Sequence, residues 1–584
     1  MKNKTSRQYF CTGSHFLCLV YPLMKNKRLF LQIAAVAVAI AAVSLISHYL
    51  FFRLDLTSDK RYTISSATKG LMKSLDEPVQ INVYLDGDLN AGFLRLKHSC
   101  TDYLDEFKVY AGKNIQYQLI DPAKAAEGKD QDAYYASLEK RGMRATMVYE
   151  KDADGKAVRK IICPWAEIIS HKDTLLVNLL TNMQGHSGEE NLNASVENLE
   201  YQLTDAIRIL NVKENRKVAF LEGNGELPEP EVYDATTALS RYFQVDRGAL
   251  GNDPKALDPY KVVIIAKPAT AFSENEKFII DQYIMNGGRV LWLIDGSKID
   301  NDFLSRTGQA TIAPLDVNLS DMLFGYGVRI NPDIVQDVQC ASMPINVSRP
   351  GEEPQFKPMP WVFQPLLLTS PYNATTRNLA SVKANFASSI DFVGVDTLVK
   401  KQALLATSNA SHVLAPPAMV DLKQMPDPRD HDYFRFQNIP VGGLLEGTFT
   451  SAFANRMVPE GINKSASIAR KSKYTRMIIV ANGDIIRNEV HGTGDNMQLL
   501  PLGFDSYTNR QYGNRDFIVN AVLYLSGDDS WLELRSRVVP LRLLNNVATT
   551  EGRTTWQIIN LVTPLVLLAL FAAVFFFLRR RKYS

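Results

Sequence analysis

The sequence predicts an α/β protein held between two membrane-spanning helices, with its folded body outside the cytoplasm. Three observations carry that expectation. Two uncharged apolar runs lie near the ends of the 584-residue chain, at 29–52 and 556–578. Basic residues flank each run on its terminal side. Between the runs, short apolar strands alternate with helices at the spacing of a doubly wound parallel sheet.

The spans come first. The polar members of 29–52 are Gln32, Ser44, Ser47 and His48, and about 20 apolar residues suffice to cross the hydrocarbon core as a helix. Lys25, Lys27 and Arg28 precede this run, while Arg579, Arg580, Arg581 and Lys582 follow the second. Basic flanks stay inside, so both termini are expected in the cytoplasm and 53–555 outside it, in a two-pass inner-membrane protein with a large periplasmic region. A cleaved signal peptide has a shorter apolar core and a small-x-small cleavage site. The first run has neither, so an uncleaved anchor is expected. Pro564 is tolerable inside a membrane helix. The tetrapeptide MKNK at 1–4 recurs at 24–27, and Met24 is the expected start.

A net charge of +3 on this length argues against a nucleic-acid binder. The length suggests about three or four domains. Of five cysteines, Cys100, Cys163 and Cys340 fall outside the membrane. An odd, widely spaced set argues against a disulfide scaffold and leaves room for one bridge.

A juxtamembrane segment, 53–78, carries a short helix capped by Ser65 and stopped before Pro78. Alternation at 79–85 predicts a strand. A helix over 93–110 follows, with Leu94, Cys100, Leu104 and Phe107 on one face, then a strand over 115–120. Strands over 146–150 and 157–162 flank a turn, and a helix over 195–210 closes a first α/β domain, 79–212, with thioredoxin-like as its candidate type. The second domain, 213–530, opens with a strand at 218–221, a turn at 222–226 and a helix over 232–243. The continuous apolar run at 262–266 reads as a strand buried on both faces. Ser273 and Glu276 form a capping box for the helix 274–285. Strands at 289–295 and 477–484 and a helix over 515–525 complete the sheet. The pattern breaks between 301 and 470, through Pro344, Pro350, Pro354, Pro358, Pro360 and Pro365, and is read as a large insertion. Residues 531–555 are read as a stalk.

No P-loop is present, so this chain hydrolyses no ATP by that route. HExxH, CxxC and GxSxG are also missing. Asp86 to Lys97 opens like a calcium loop, but Ala91 and Lys97 occupy its sixth and twelfth positions, against an EF-hand. No metal or cofactor is expected. One constellation remains. The strands of the second sheet deliver Asn224, Gly225 and Glu226, then Asp295, then Asn482 and Asp484 to their carboxyl ends, where open α/β sheets bind ligands. The same residue types make turns whatever the function.

Several segments resemble the gliding-motility-associated ABC transporter auxiliary family, the G component of the Gld system. They are LDLT at 54–57, RYTIS at 61–65, LEGTFTSAF at 445–453, ANGDIIRN at 481–488, PLGFD at 501–505, GNRDFIVN at 513–520, LRSR at 534–537 and PLRLL at 540–544. The resemblance implies a substrate-binding or auxiliary part that works with a separate permease and ATPase. It also implies a sheet of flavodoxin or class I glutamine amidotransferase type. Such an amidotransferase needs a Cys at a strand-to-helix elbow, whereas 262–266 runs into Lys267-Pro268, so catalysis is not implied. Related sequences carry GHGE where this one has Gly223-Asn224-Gly225-Glu226. The expected function is therefore a non-enzymatic auxiliary subunit in the membrane. The alternatives are a receptor for a small solute at the carboxyl edge, and an undetected hydrolase using Glu226 or Asp484. A body held at both ends cannot shuttle solute, which suits an auxiliary module.

Overall fold

The computed structural model describes Ala35, residues 63–535 and residues 552–583, apart from positions 127–130, 152–156, 172, 182–186, 212–215, 347, 349–352, 354, 395–397, 423–425, 463–467 and 493–495. The predicted first span, 29–52, lies outside the described residues except for Ala35, and so does the MKNK repeat.

Ser65 caps α1 (Ser66–Lys73), its hydroxyl accepting from the Thr68 N–H. Strand β1 (Val79–Val83) leads through α2 (Ala91–Ala111) to β2 (Ile115–Leu119), parallel to β1. Helix α2 buries Phe93, Leu96, Cys100, Leu104 and Phe107, a single stripe at helical spacing. Leu94, expected on that stripe, is exposed instead. Strands β3 (Trp165–Ser170) and β4 (Asp173–Asn178) form a hairpin that pairs antiparallel to β1. The first sheet therefore runs β2-β1-β3-β4. A separate hairpin joins Thr146–Lys151 to Ala157–Ile162. Helix α3 (Gly188–Asn211) starts earlier than its apolar pattern announces. Its Leu199, Leu203 and Ile207 complete the first core.

The second sheet is larger. Strands β5 (Lys217–Glu222), β6 (Gln244–Ala249), β7 (Tyr260–Ala266) and β8 (Val290–Leu293) are mutually parallel, with α4 (Tyr233–Ser240) between β5 and β6 and α5 (Glu274–Met285) between β7 and β8. The strands β9 (Cys340–Asn346), β10 (Phe356–Thr369), β11 (Val399–Ala406) and β12 (Pro440–Gly447) come from the stretch read as an insertion. They do not stand apart. They extend the same sheet antiparallel, so its order is β9-β10-β11-β12-β13-β8-β7-β5-β6, where β13 (Thr475–Val480) is parallel to β8. The sheet is mixed rather than wholly parallel. Prolines hid its outer half: Pro344 lies opposite Pro358, and Ser342 opposite Pro360, in the two outermost strands, where a missing N–H is tolerated.

The parallel strands are buried on both faces. Val262, Ile264, Leu291, Leu293, Ile478 and Val480 point to one core, while Val263, Ile265, Val290, Trp292, Met477 and Ile479 point to the other. Alternation sends neighbours to opposite faces, and each face has its own helical cover. Helices α4, α6 (Asn514–Ser526) and α7 (Asp529–Arg535) cover the first, and α5 the second.

The residues expected to begin a stalk are part of the body. In α7, Trp531, Leu532 and Leu534 are buried in the main core, and α7 also touches α1 and α3. The Trp531 indole N–H donates to Asp205 Oδ1 at 3.1 Å and the Tyr242 hydroxyl donates to Asp205 Oδ2 at 2.9 Å. Arg208 and Arg216 both donate to Asp528 Oδ2, each at 2.7 Å. On the same helix α3, Glu200 accepts from the Thr68 hydroxyl at 2.8 Å and the Ser65 N–H at 2.6 Å. Beyond the body, α8 (Arg553–Tyr583) is the one helix among the described residues long and apolar enough to cross a membrane, and none of its span is buried. Cys100, Cys163 and Cys340 are free thiols, and burial pushes each up to about 12.

Trp531→Ala should lower the unfolding free energy by about 3–5 kcal/mol, the cost of emptying a large aromatic site. Trp531→Phe keeps most of the volume but leaves an Asp205 oxygen unpaired, and should cost about 1–3 kcal/mol. Urea unfolding of both variants checks the order; equal losses would remove the hydrogen bond from the account.

Candidate functional site

The parallel half of the sheet has a change of direction. From β5 the chain steps to β6 on one side, then returns to β7 on the other and continues through β8 to β13. The carboxyl ends of β5 and β7 therefore flank the point where the strand order reverses, and the loops there open away from each other. Two groups of polar residues occupy this edge.

Asn224, Gly225 and Glu226 form the turn after β5, and they close the crevice themselves. The Asn224 carbonyl accepts from the Ala269 N–H at 2.8 Å and the Thr270 N–H at 3.0 Å, while Leu227 N–H donates to the Ala266 carbonyl at 3.0 Å. Gly225 has φ +73, and a Cβ there would meet the Ala269 Cβ at 3.1 Å. A left-handed backbone against a neighbouring loop leaves glycine as the residue that fits. Glu226 folds back, with Oε2 accepting from the Asn224 N–H at 2.7 Å. Its Oε1 is buried without a hydrogen-bond partner. Burial raises the Glu226 pKa, and the nearby Glu276 and Glu222 add to the rise.

Asp295 and Asp484 meet around Lys267, which the sequence marks only as the residue between the strand 262–266 and Pro268. Lys267 follows β7 with φ +57. Its Nζ contacts Asp484 Oδ1 and lies 3.5 Å from Asp295 Oδ2. The Gly483 N–H donates to Asp295 Oδ1 at 2.6 Å, and a Cβ at Gly483 would sit 2.4 Å from the Lys267 Cβ. The lysine stem and the β13 loop thus approach as closely as a glycine permits. Asn482 is fully buried and donates to the Asn385 carbonyl at 2.6 Å, while Asn385 Nδ2 donates to Asp484 Oδ2 at 3.2 Å. The predicted residues therefore form two clusters: the 224–226 turn, and Asp295, Asn482 and Asp484 around Lys267.

The electrostatics follow from burial. Desolvation pushes the Asp295 carboxyl up and Lys267 only partly offsets it. Burial alone would depress the Lys267 ammonium, but Asp295 and Asp484 outweigh it and hold its pKa above the ordinary lysine value. A lysine held protonated is neither a base nor a nucleophile at neutral pH. Among the described residues no group of three or more His, Cys, Asp or Glu is arranged to hold a metal.

Above this cluster opens a cavity of ≈460 Å³, lined by Asp484 together with Glu231, Lys383, Asn385, Arg487 and Glu489. Arg487 makes a two-point pair with Glu231 at 2.9 and 3.0 Å, and Lys383 Nζ lies 3.2 Å from Glu489. Asn514, the first residue of α6, accepts from the Lys383 N–H at 2.9 Å and donates to the Ile485 carbonyl at 3.1 Å. Arg487 was visible inside ANGDIIRN. Lys383 and Asn385 come from a stretch without periodicity, and only the folded chain brings them here.

Fold and site define a mixed α/β protein with a salt-bridged cavity at its carboxyl edge and an apolar helix at its carboxyl end. The comparisons supply the family. Residues 215–521, just over half of the chain, match the auxiliary family described as "ABC-type uncharacterized transport system", and the chain belongs to it. Residues 58–169 match a domain of unknown function, DUF7088. An uncharacterized protein of Borreliella burgdorferi is 21% identical over 554 residues, covering 91% of this chain and 94% of its own length. The solved mmIFT52 N-terminal domain is 12% identical, with a TM-score of 0.31 over 53% of this chain and 97% of that domain. Transport systems of the ABC type combine such parts with a permease and an ATPase.

The sign of the pH dependence at this edge is fixed by the two raised groups. Asp295 binds its proton more tightly folded than unfolded, so its contribution favours folding at low pH and is lost as pH rises through the raised value. The Lys267 contribution is present below the ordinary lysine value and is lost only as pH rises through the raised one. Lys267→Met leaves the buried Asp295 carboxylate without its cation. It should cost about 3–5 kcal/mol near neutral pH and less in acid, where Asp295 takes up a proton. Thermal unfolding at about pH 4.5 and about pH 8 checks this; an equal loss at both would contradict the assignment.

Proposed function

We propose that this protein is a non-enzymatic, membrane-anchored extracytoplasmic auxiliary subunit of an ABC transporter complex associated with gliding motility or secretion. The match of 215–521 to the ABC transport auxiliary family is the observation that carries this reading. The apolar helix α8 supports anchorage. The segments quoted above from LDLT to PLRLL support the gliding-motility G component within that family. In this reading 29–52 is a second anchor, both termini are cytoplasmic, and the body stands in the periplasm. Strand order 2-1-3-4 supports a thioredoxin-like first domain, and the parallel order β6-β5-β7-β8-β13 supports a flavodoxin or amidotransferase-like second one. The protonated Lys267 and the three high-pKa thiols support a part that performs no chemistry. Permease and ATPase are then separate chains.

A tagged full-length copy purified from its native membrane in mild detergent should bring down a multi-span permease and a P-loop ATPase, identified by mass spectrometry. Recovery of this chain alone in several detergents would overturn the proposal. A version ending at residue 552 tests the topology separately. It should stay in the membrane fraction through 29–52; release into the soluble fraction would sink the two-pass reading and leave the rest standing.

A further inference from the structure

The ≈460 Å³ cavity adjoins a second one of ≈410 Å³, and Gln364, Lys383, Asn385, Glu489 and Tyr507 line both. The two are chambers of one cleft, and their chemistry differs. The first is walled by ion pairs of both signs, Arg487 with Glu231 and Lys383 with Glu489. The second adds to its polar lining an apolar wall of Leu304, Met343, Phe356, Trp361, Phe386 and Leu422. In the shared wall the half-buried Gln364 side-chain amide makes no hydrogen bond among the described residues. An amide offers both donors and an acceptor. At the rim, Phe356 and Tyr507 are 64% and 65% exposed.

We propose that this cleft binds a short peptide segment. One large apolar side chain enters the Leu304–Trp361–Phe386 chamber, and the adjoining backbone and charged side chains lie along the ion-paired chamber. Charges of both signs in one chamber suit a ligand that itself carries both. They disfavour a phosphate or nucleotide, which is held where positive charge is in excess. An apolar chamber of this size fits the anchor side chain of a recognition segment. The Gln364 amide faces ligand N–H and C=O groups, and Phe356 and Tyr507 close over the anchor. The inference rests on the carboxyl edge as a binding site and is independent of the transporter partners.

Isothermal titration of the full-length chain in detergent with capped pentapeptides Ala-Lys-X-Glu-Ala tests it. With X as Phe or Leu, binding should be saturable and at least about tenfold tighter than with X as Ala, the equivalent of about 1.4 kcal/mol. Phe356→Ala and Tyr507→Ala change exposed residues and should each weaken that binding at least fivefold, while Tyr372→Ala, exposed and lining neither chamber, should not. No saturable binding by any peptide, or full binding by the Tyr507→Ala variant, would overturn the proposal. So would equal or tighter binding of monosaccharides, inorganic phosphate or nucleosides at the same residues. Peptide binding without a co-purifying permease sinks only the transporter reading; a co-purifying permease without peptide binding sinks only this one.

Discussion

The buried carboxylate of Asp205 is the interaction on which the rest of the body depends. One oxygen accepts from Trp531 of α7 and the other from Tyr242 beyond α4, while Asp205 itself sits on α3 of the first domain. A buried carboxylate costs several kcal/mol unless its lone pairs are used, and here both oxygens are. Burial nevertheless raises its pKa, with the Tyr242 hydrogen bond pulling the other way. Around it the aromatic and cationic side chains stack: Tyr201 lies 5.9 Å from Trp531, and the Arg208 guanidinium 4.7 Å over the Trp531 ring. The same helix holds α1 through Glu200. The beginning of the body, its end and its two sheets therefore meet on one polar face of α3.

A second constraint governs the carboxyl edge. Lys267, Asp295 and Asp484 come from three different strand ends, and the attraction of the lysine for both carboxylates joins three loops that have no shared backbone ladder beyond the sheet. An ion cluster of this kind adds little net stability over an apolar filling. Its effect is geometric. It sets where Asp484 stands, and through Asn385 it draws a loop from the antiparallel half across the parallel half. The cavity exists because that loop is held there.

How much of this was legible follows residue by residue. The parallel strands were readable because burial on both faces demands unbroken apolar runs, as at Val262 to Ala266 and Met477 to Val480. Strand β6 was not, because it is an edge with mostly exposed or half-buried polar residues. The antiparallel half was hidden twice over. Prolines in β9 and β10 argue against strand, and Gly442 and Gly443 weaken the pattern of β12. Gly443 has a tertiary reason that no local rule displays, since a Cβ there would lie 2.7 Å from the Phe392 ring. At the edge, Asp295, Asn482 and Asp484 were readable because they follow buried strands. Lys267 stood in plain view as the residue before Pro268, but its role depends on partners about 30 and 220 residues away. The polar face of α3 was illegible for the same reason: Glu200 and Asp205 look solvated until α1 and α7 are set against them.

The position of the cavity relative to the ends of the body follows from one helix. Asn514 begins α6 at the carboxyl edge, bonded to Lys383 and Ile485. At the other end of α6 the Leu525 carbonyl accepts from Arg289, the residue just before β8, at 2.6 Å, and α7 begins there. Helix α6 thus runs the full height of the sheet, about 20 Å for its length, from the cavity to the α1–α3–α7 junction. The chain enters and leaves the body at that junction, on the amino edge. The described body begins and ends at the amino edge, while the ion-paired and apolar chambers open at the opposite one. None of the residues lining either chamber comes from α1, α3 or α7, so the junction and the cleft are separate surfaces of the body.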